Sequence, residues 1–253
     1  MRSLIFISAL SIIFSTSALS KTIPAPAKQE LQDEDEFETF GAEIEIFDPY
    51  EKYNRKIYRF NDISDRYLLE PVAKSYDKFV PSFVRKTIRN FLTNLSLPIS
   101  TTNSLLQGKT DNGLATFSHF LINSTIGIGG LFDVAGKKEI CYKAEDFGQT
   151  LGSYGKGSGS YLMIPFLGPS STRDFSGWLV DKAVNPLGFN LLDVGGEKGL
   201  VSSDYRLGLM VVSGIDLRES LIDIIDDIRT ESFDPYATIR SAYLQKRATD
   251  VKN

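Results

Sequence analysis

The sequence predicts a mainly α protein, on three observations. Apolar residues recur at three- and four-residue spacing in several stretches, strand-like alternation is scarce, and prolines and glycines stand where such helices should begin and end. The first stretch is "DPYEKYNRKIYRFNDISDRYLLEPV". Asp48 suits an N-cap, Pro49 the first helical position, and Glu51 the capping-box spacing. Tyr50, Tyr53, Ile57 and Phe60 then repeat, continuing to Tyr67 and Leu68, so a helix is expected that ends before Pro71. Lys52, Arg55, Lys56, Arg59 and Arg66 fall on its other face.

A second stretch, "VPSFVRKTIRNFLTNLSLP", repeats the recipe after Pro81. Val84, Ile88, Phe91 and Leu95 lie on one side, with Arg85, Lys86 and Arg89 on the other. Gly108 punctuates. A third helix is expected to start at Thr110 or Asp111, to carry the stripe Leu114, Phe117 and Leu121, and to stop by Gly127 to Gly130. Those glycines follow a helix, so they read as a turn or as close packing. "STRDFSGWLVDKAV" predicts a short helix closed before Pro186. From about Gly199 to Ile228 runs the longest periodic segment, with Leu207, Val211, Gly214, Leu221, Ile225 and Ile228 on one face and Met210, Leu217 and Ile224 widening it. The last helix opens as the first does, with Asp234, Pro235 and Tyr236, and continues through Ile239 and Tyr243. No convincing internal repeat is present.

A chain of 253 residues makes one domain of roughly 200 residues, or two small ones. A net charge of −4 argues against a nucleic-acid partner. With one cysteine, Cys141, there is neither a disulfide within the chain nor a thiolate cluster for a metal. Residues 1–20 read as a secretory signal: Arg2, then an apolar run, then Ala18 and Ser20 before a cut ahead of Lys21. Residues 21–46 form a proline-containing acidic stretch with the character of a solvated linker. After it, no run approaches the roughly 18–20 apolar residues of a membrane-spanning helix, so membrane contact is expected from one side.

Candidate chemistry is thin. "GQTLGSYGKGSGSYLMIPFLGPSSTRD", residues 148–174, suggests a phosphate loop, but Gly157 follows Gly155-Lys156 where Ser or Thr is needed, and Thr150 stands where the first glycine should be. No G-x-G-x-x-G fits either. Glycines this dense free the backbone. The segment they flank, "YLMIPFLG", is broken by Pro165 and too short to span; it suits either a core or an interfacial hairpin. His119, the single histidine, has no catalytic partner in sequence and reads as a packed or surface residue. The acidic stripe Asp216, Glu219, Asp223 and Asp226 reads as a solvated face. Aromatic and basic residues interleaved on the first two helices favour an interface that is oily on one edge and wet on the other. No catalytic or metal-ligating set is assigned.

Taken in order, "DPYEKYNRKIYRFN", "PVAKSYDKFVP", "NFLTNLSLP", "LLQGK", "FLINSTIGIGGLFDVA", the glycine-rich segment and "DPYATIRSAYLQKR" resemble the MlaA/VacJ family from about Asp48 to Arg247. The resemblance implies a single helical domain over residues 47–248, followed by a tail at 249–253. Its fold would be a ring of amphipathic helices, with a glycine-rich loop or hairpin, around an amphipathic channel. It implies non-enzymatic phospholipid transport without a cofactor: glycerophospholipids misplaced in the outer leaflet of the outer membrane are removed and passed to a soluble periplasmic carrier, with a trimeric porin as a further partner. It assigns Tyr161, Leu162, Met163, Ile164, Phe166 and Leu167 to lipid or membrane contact. Gly152, Gly155, Gly157 and Gly159 become a flexible neck, and Asp48, Pro49, Tyr53, Asn54, Arg55, Phe60 and Asn61 the motif of the first helix. One departure stands out. Many family members carry a lipidated cysteine at the mature N-terminus, and here the sole cysteine is Cys141. Anchoring at the periplasmic face is therefore expected from the helices or a porin, without lipidation. The alternative function is an envelope protein that binds porins or membrane without moving lipid.

Overall fold

The computed structural model describes residues 46–184 and 203–252. The signal stretch, its cut at Ser20 and Lys21, and the acidic stretch up to residue 45 lie outside the described residues.

The first periodic stretch does not stop at Pro71. It runs as α1 (Glu51–Ser64), a π-helical turn (Asp65–Leu69) and α2 (Glu70–Phe79). A proline inside a regular helix lacks one N–H and presses on the carbonyl four residues back. The wider turn just before Pro71, where the Glu70 N–H reaches back to the Asp65 carbonyl, takes up that mismatch. At the other end Tyr50, not Asp48, sits at the cap position. Asp48 is drawn inward by side-chain partners described below.

α3 (Ser82–Leu106) likewise passes through Pro98. It packs antiparallel against α4 (Thr110–Thr125), with Asn94 donating to Ser124 Oγ and Asn112 to Ser104 Oγ, both at 2.8 Å. The pair is built inside out. The expected stripe of α4 is on the outside: Leu114 is 63% exposed and Phe117 and Leu121 45% each, while Thr116, His119 and Asn123 are buried. In α3 the buried residues include Asn94, Ser100, Asn103 and Ser104. A turn with Gly129 at φ +69° and Gly130 at φ +92° follows, leading into the short α5 (Val134–Lys137). Asn123 closes it, accepting the Val134 and Ala135 N–H groups at 2.9 Å each.

α6 (Phe147–Ser153), capped by Asp146, precedes a two-stranded antiparallel hairpin that alternation in the sequence did not reveal. β1 (Tyr161–Ile164) pairs with β2 (Gly168–Ser171) in the register Tyr161–Ser171 to Ile164–Gly168. Then come α7 (Thr172–Val184), α8 (Ser203–Ser220), α9 (Ile222–Glu231) and α10 (Pro235–Lys252), the last running on through residues 249–252. The longest periodic segment is thus two helices, broken at Leu221. Asp234 caps α10 as expected, accepting the Ala237 N–H.

Packing neighbours close a circuit: α1 against β1, β2 against α10, α10 against α6, α6 against α3, α3 against α8, α8 against α2, and back through the π turn to α1. The architecture is mainly helical and ring-like, as the sequence predicts. Its small apolar core lies on one side, where Tyr161, Met163, Tyr236 and Leu244 are buried and Ile57, Tyr58, Ile239 and Tyr243 pack around them. Between α8, α9 and the helices they pack against, charge does the joining. The acidic stripe is not solvated throughout: Asp216 is buried and meets Arg89 at 2.9 Å, Glu219 meets Arg85 and Arg89, and Asp226 reaches Lys74. Arg229 joins Asp62, Asp65 and Glu70 at 2.7–2.8 Å and Arg218 joins Asp65, fastening α8 and α9 to the first helix and its π turn.

Candidate functional site

α1 holds the hairpin by two asparagine side chains. Asn54 Nδ2 donates to the Tyr161 carbonyl at 3.1 Å, and its Oδ1 accepts the Met163 N–H at 2.9 Å. Asn61 repeats the pattern, donating to the Ile164 carbonyl at 2.9 Å and accepting the Phe166 N–H at 2.8 Å. Two helical turns advance ~10.5 Å and three residues of strand ~10 Å, so the two side chains fall in step with the free edge of β1. Each carries a donor and an acceptor and therefore supplies what a neighbouring strand would.

The tip of the hairpin is strained. Leu167 N–H bonds the Ile164 carbonyl at 3.2 Å, closing a turn with Pro165 second and Phe166 third. That third position favours glycine, yet Phe166 sits there at φ +61°. Phe60 meets the Phe166 ring edge-on at 4.9 Å. The remaining residues of the first-helix motif serve the same junction. Asp48 accepts from Asn54 at 2.8 Å, from the Tyr236 hydroxyl, and from Arg240 at 2.7 Å. Arg55 pairs with Asp234 and lies 4.4 Å from the Tyr236 ring centre. Tyr53 is 69% exposed and Pro49 also faces outward.

Beside the hairpin opens a cleft of about 100 Å³ with a mixed lining. Ile164, Leu167, Phe175 and Trp178 supply its apolar surface; Asp146, Asp174, Asp181, Lys246 and Arg247 supply its polar surface. The two aromatic rings stack, their centres 5.7 Å apart and 16° from parallel. Arg247 takes Asp146 at 2.7 Å and Asp174 at 2.9 Å, and Asp174 also accepts from Arg173 at 2.8 Å and the Tyr243 hydroxyl at 2.7 Å. Burial alone would raise the Asp174 carboxyl, but Arg247 and Arg173 hold it below the usual range. Asp181 goes the other way. Its donors are neutral, the Phe147 N–H and the Asn103 amide at 2.9 Å each, and burial pushes it up to about 6. α6 and α7 come close enough to frame the cleft because glycines meet: a Cβ on Gly177 would lie 2.3 Å from the Gly148 nitrogen.

The structure divides the expected contact segment by strand alternation. Tyr161 and Met163 are buried in the core, whereas Leu162 and Ile164 are half-buried and Phe166 and Leu167 occupy the tip. The four glycines do not act alike. Gly152 lies within α6 and a Cβ there would meet Val251; Gly155 and Gly157 have open space around them; Gly159 is held at φ +71° against Thr172. His119 is buried, with Nε2 2.5 Å from the Ile140 carbonyl and its ring against Tyr142. Sequence reading missed Asp146, Asp174, Trp178, Asp181, Tyr243 and Arg247. A signal was present for the polar interior: Asn94, Ser100, Asn103, Ser104 and Gln107 recur at helical spacing in α3.

Among the described residues no helix is long and apolar enough to cross a membrane. Residues 46–250 match the family model described as MlaA lipoprotein. An uncharacterized protein of Rickettsia bellii is 37% identical over 209 residues, covering 82% of this chain and 78% of its own. The protein named intermembrane phospholipid transport system lipoprotein MlaA in Escherichia coli is 34% identical over 203 residues, covering 79% of this chain and 76% of its own. A chain from a solved structure concerned with the structural basis for maintenance of bacterial outer membrane lipid asymmetry superposes with a TM-score of 0.67 at 36% identity, covering 81% of this chain and 98% of that one.

Proposed function

The chain belongs to the MlaA lipoprotein family, and on that premise we propose that it moves glycerophospholipid out of the outer leaflet of the outer membrane and hands it to a soluble periplasmic carrier, seated in the membrane and held by a trimeric porin. The reversed polarity of the α3–α4 pair carries this reading. Leu114, Phe117 and Leu121 face outward while asparagine, serine and threonine fill the inside, an arrangement that suits a protein solvated by lipid and costs stability in water. A lipid in transit needs an apolar wall for its acyl chains and a polar wall for its headgroup, since burying a bare phosphate costs several kcal/mol. The lining of the cleft beside the hairpin offers both kinds of surface. No bond is made or broken, so the proposal needs no catalytic residue, and direction comes from the partners. The outward apolar side chains also supply an anchor that does not depend on a lipidated cysteine.

The test is lipid mass spectrometry on protein extracted from its native membrane, together with surface-exposed phospholipid in a deletion strain. Phospholipid should accompany the protein, and surface phospholipid should rise on deletion. Protein free of lipid together with an unchanged surface would leave the binding-only alternative standing. Phe166→Asp sharpens the test: at the half-buried tip it should abolish transport while membrane association survives. Met163→Asp is unsuited to this purpose, because Met163 is in the core.

A further inference from the structure

We propose that the cleft between the hairpin, α7 and α10 is a headgroup subsite that takes a primary ammonium, as in an ethanolamine phospholipid, in preference to an uncharged polyol headgroup. The inference rests on the phospholipid reading above and names the class of lipid. Four features converge. Asp174, Trp178 and Asp181 stand at i, i+4 and i+7 on α7 and all line the cleft, so one face of that helix forms its wall. Arg247 is engaged by Asp146 and Asp174, and Lys246 by Asp250 at 2.6 Å. Asp181, by contrast, accepts from an amide side chain and a backbone N–H, both neutral, and the cation that its charge feels is the neighbouring Lys182 on the same helix. Phe175 and Trp178, stacked on one another, also line the cleft and bring to it aromatic surface of the kind that attracts a cation.

An ammonium carries three N–H donors and a full charge, which suits a carboxylate flanked by an aromatic face. A glycerol headgroup brings hydroxyls, which are poorer partners for that pair and bring the carboxylate no positive charge. The accessible space of about 100 Å³ is far below the roughly 300–1,000 Å³ of pockets that enclose whole ligands, so the cleft grips a headgroup and leaves the chains outside. Half-exposed Lys246 stands at the rim, within the cleft lining, where a lipid phosphate would follow the amine. Ile164 and Leu167 give the lining apolar surface along which the acyl chains would depart.

The experiment incubates detergent-purified full-length protein with mixed vesicles of equimolar dioleoyl phosphatidylethanolamine and dioleoyl phosphatidylglycerol, re-isolates the protein and measures both bound lipids. Wild type should carry the ethanolamine lipid in roughly threefold excess, the scale of a partly exposed cation–π and ion-pair site. Asp181→Asn should bring the ratio back toward that of the vesicle with total bound lipid retained. A wild-type ratio equal to the vesicle's overturns the headgroup assignment and leaves the transport reading intact. An excess that persists unchanged in Asp181→Asn overturns the role of this cleft. Wild-type protein that takes up neither lipid overturns the transport reading and the subsite with it.

Discussion

The α3–α4 pair and the hairpin side of the ring are built on opposite rules. In the pair, side chains such as Leu114 and Phe117 point out, and the interior is joined by neutral hydrogen bonds such as Asn94 to Ser124 and Asn112 to Ser104. On the hairpin side, Tyr161, Met163, Tyr236 and Leu244 point in, and the surroundings are laced by arginine–aspartate pairs. A neutral hydrogen bond contributes about 1 kcal/mol and tolerates loss of both partners, whereas a buried charge left alone costs several. The hairpin side is thus fixed in one arrangement by charge, and the α3–α4 pair offers a smooth apolar exterior. On the proposed transport reading, a chain that sits in lipid and still holds a polar path needs both.

The comparison predicts where a single substitution does the most harm. Asp174→Ala leaves Arg173 without its carboxylate and strips Arg247 of one of two, both nearly buried. Unfolding of the detergent-solubilised protein, followed by circular dichroism in urea, should show a loss of about 3–5 kcal/mol. Asn54→Ala comes next. It strands the Tyr161 carbonyl and the Met163 N–H inside the core edge, for an expected loss of about 2–4 kcal/mol. Equal or larger losses on truncating Ser104 or Asn112 would erase the difference drawn between the two regions.

Much of the fold was legible because helical periodicity and caps are local properties. The starts near Glu51, Thr110 and Pro235 and the stop before Gly127 follow from such signals. What periodicity could not say is which way a stripe faces. Leu114, Phe117 and Leu121 make the same pattern whether they face a core or the outside, and only the burial of Thr116, His119 and Asn123 opposite them shows that they face out. A hairpin is named for this segment as one option and by the resemblance, not from alternation, because strands of four residues within a continuous apolar run show too little of it to distinguish from a buried helix. Pro71 reads as a stop because a proline's local cost is visible in sequence while the π turn that absorbs it is not. The residues of the cleft come from α6, α7 and α10, up to about a hundred positions apart, as Asp146 and Arg247 show. Nothing local marks such a pair.

Two carboxylates in that cleft should respond to acid in opposite senses. Asp174 is held below the usual range by its arginines, so its contribution is present above the pKa of an unfolded aspartate and is lost only as pH falls through its depressed folded value. Asp181 is raised to about 6 from the usual 3.8, so the folded state binds its proton more tightly and stability declines as pH rises between those values. Its surroundings include Asp146 on α6, Asp174 and Lys182 on α7, and Lys246 and Arg247 on α10. Asp181→Asn removes this titration. Relative to wild type, the variant should gain about 2 kcal/mol between pH 4.5 and pH 7.5. A flat difference across that range would show that the carboxyl is not raised. The variant's stability at neutral pH also separates any loss of headgroup preference from loss of fold.

The smallest effect on folding is expected where a water-soluble globule would show a large one. Replacing Leu114, Phe117 or Leu121 by serine in a protein core would remove buried apolar area and leave a cavity, at about 2–5 kcal/mol each. Here the three side chains are exposed, and in detergent each substitution should change unfolding stability by less than about 0.5 kcal/mol. Membrane partition should move instead. Together the three serines withdraw apolar side chains from the lipid-facing surface, so the triple variant should shift from the membrane pellet toward the soluble fraction while its melting curve stays close to wild type. Unfolding of the triple variant in detergent would mean that these side chains pack inward, and the reversed polarity on which the transport reading stands would be lost. Stability retained together with loss from the membrane pellet is the outcome that a lipid-facing stripe requires.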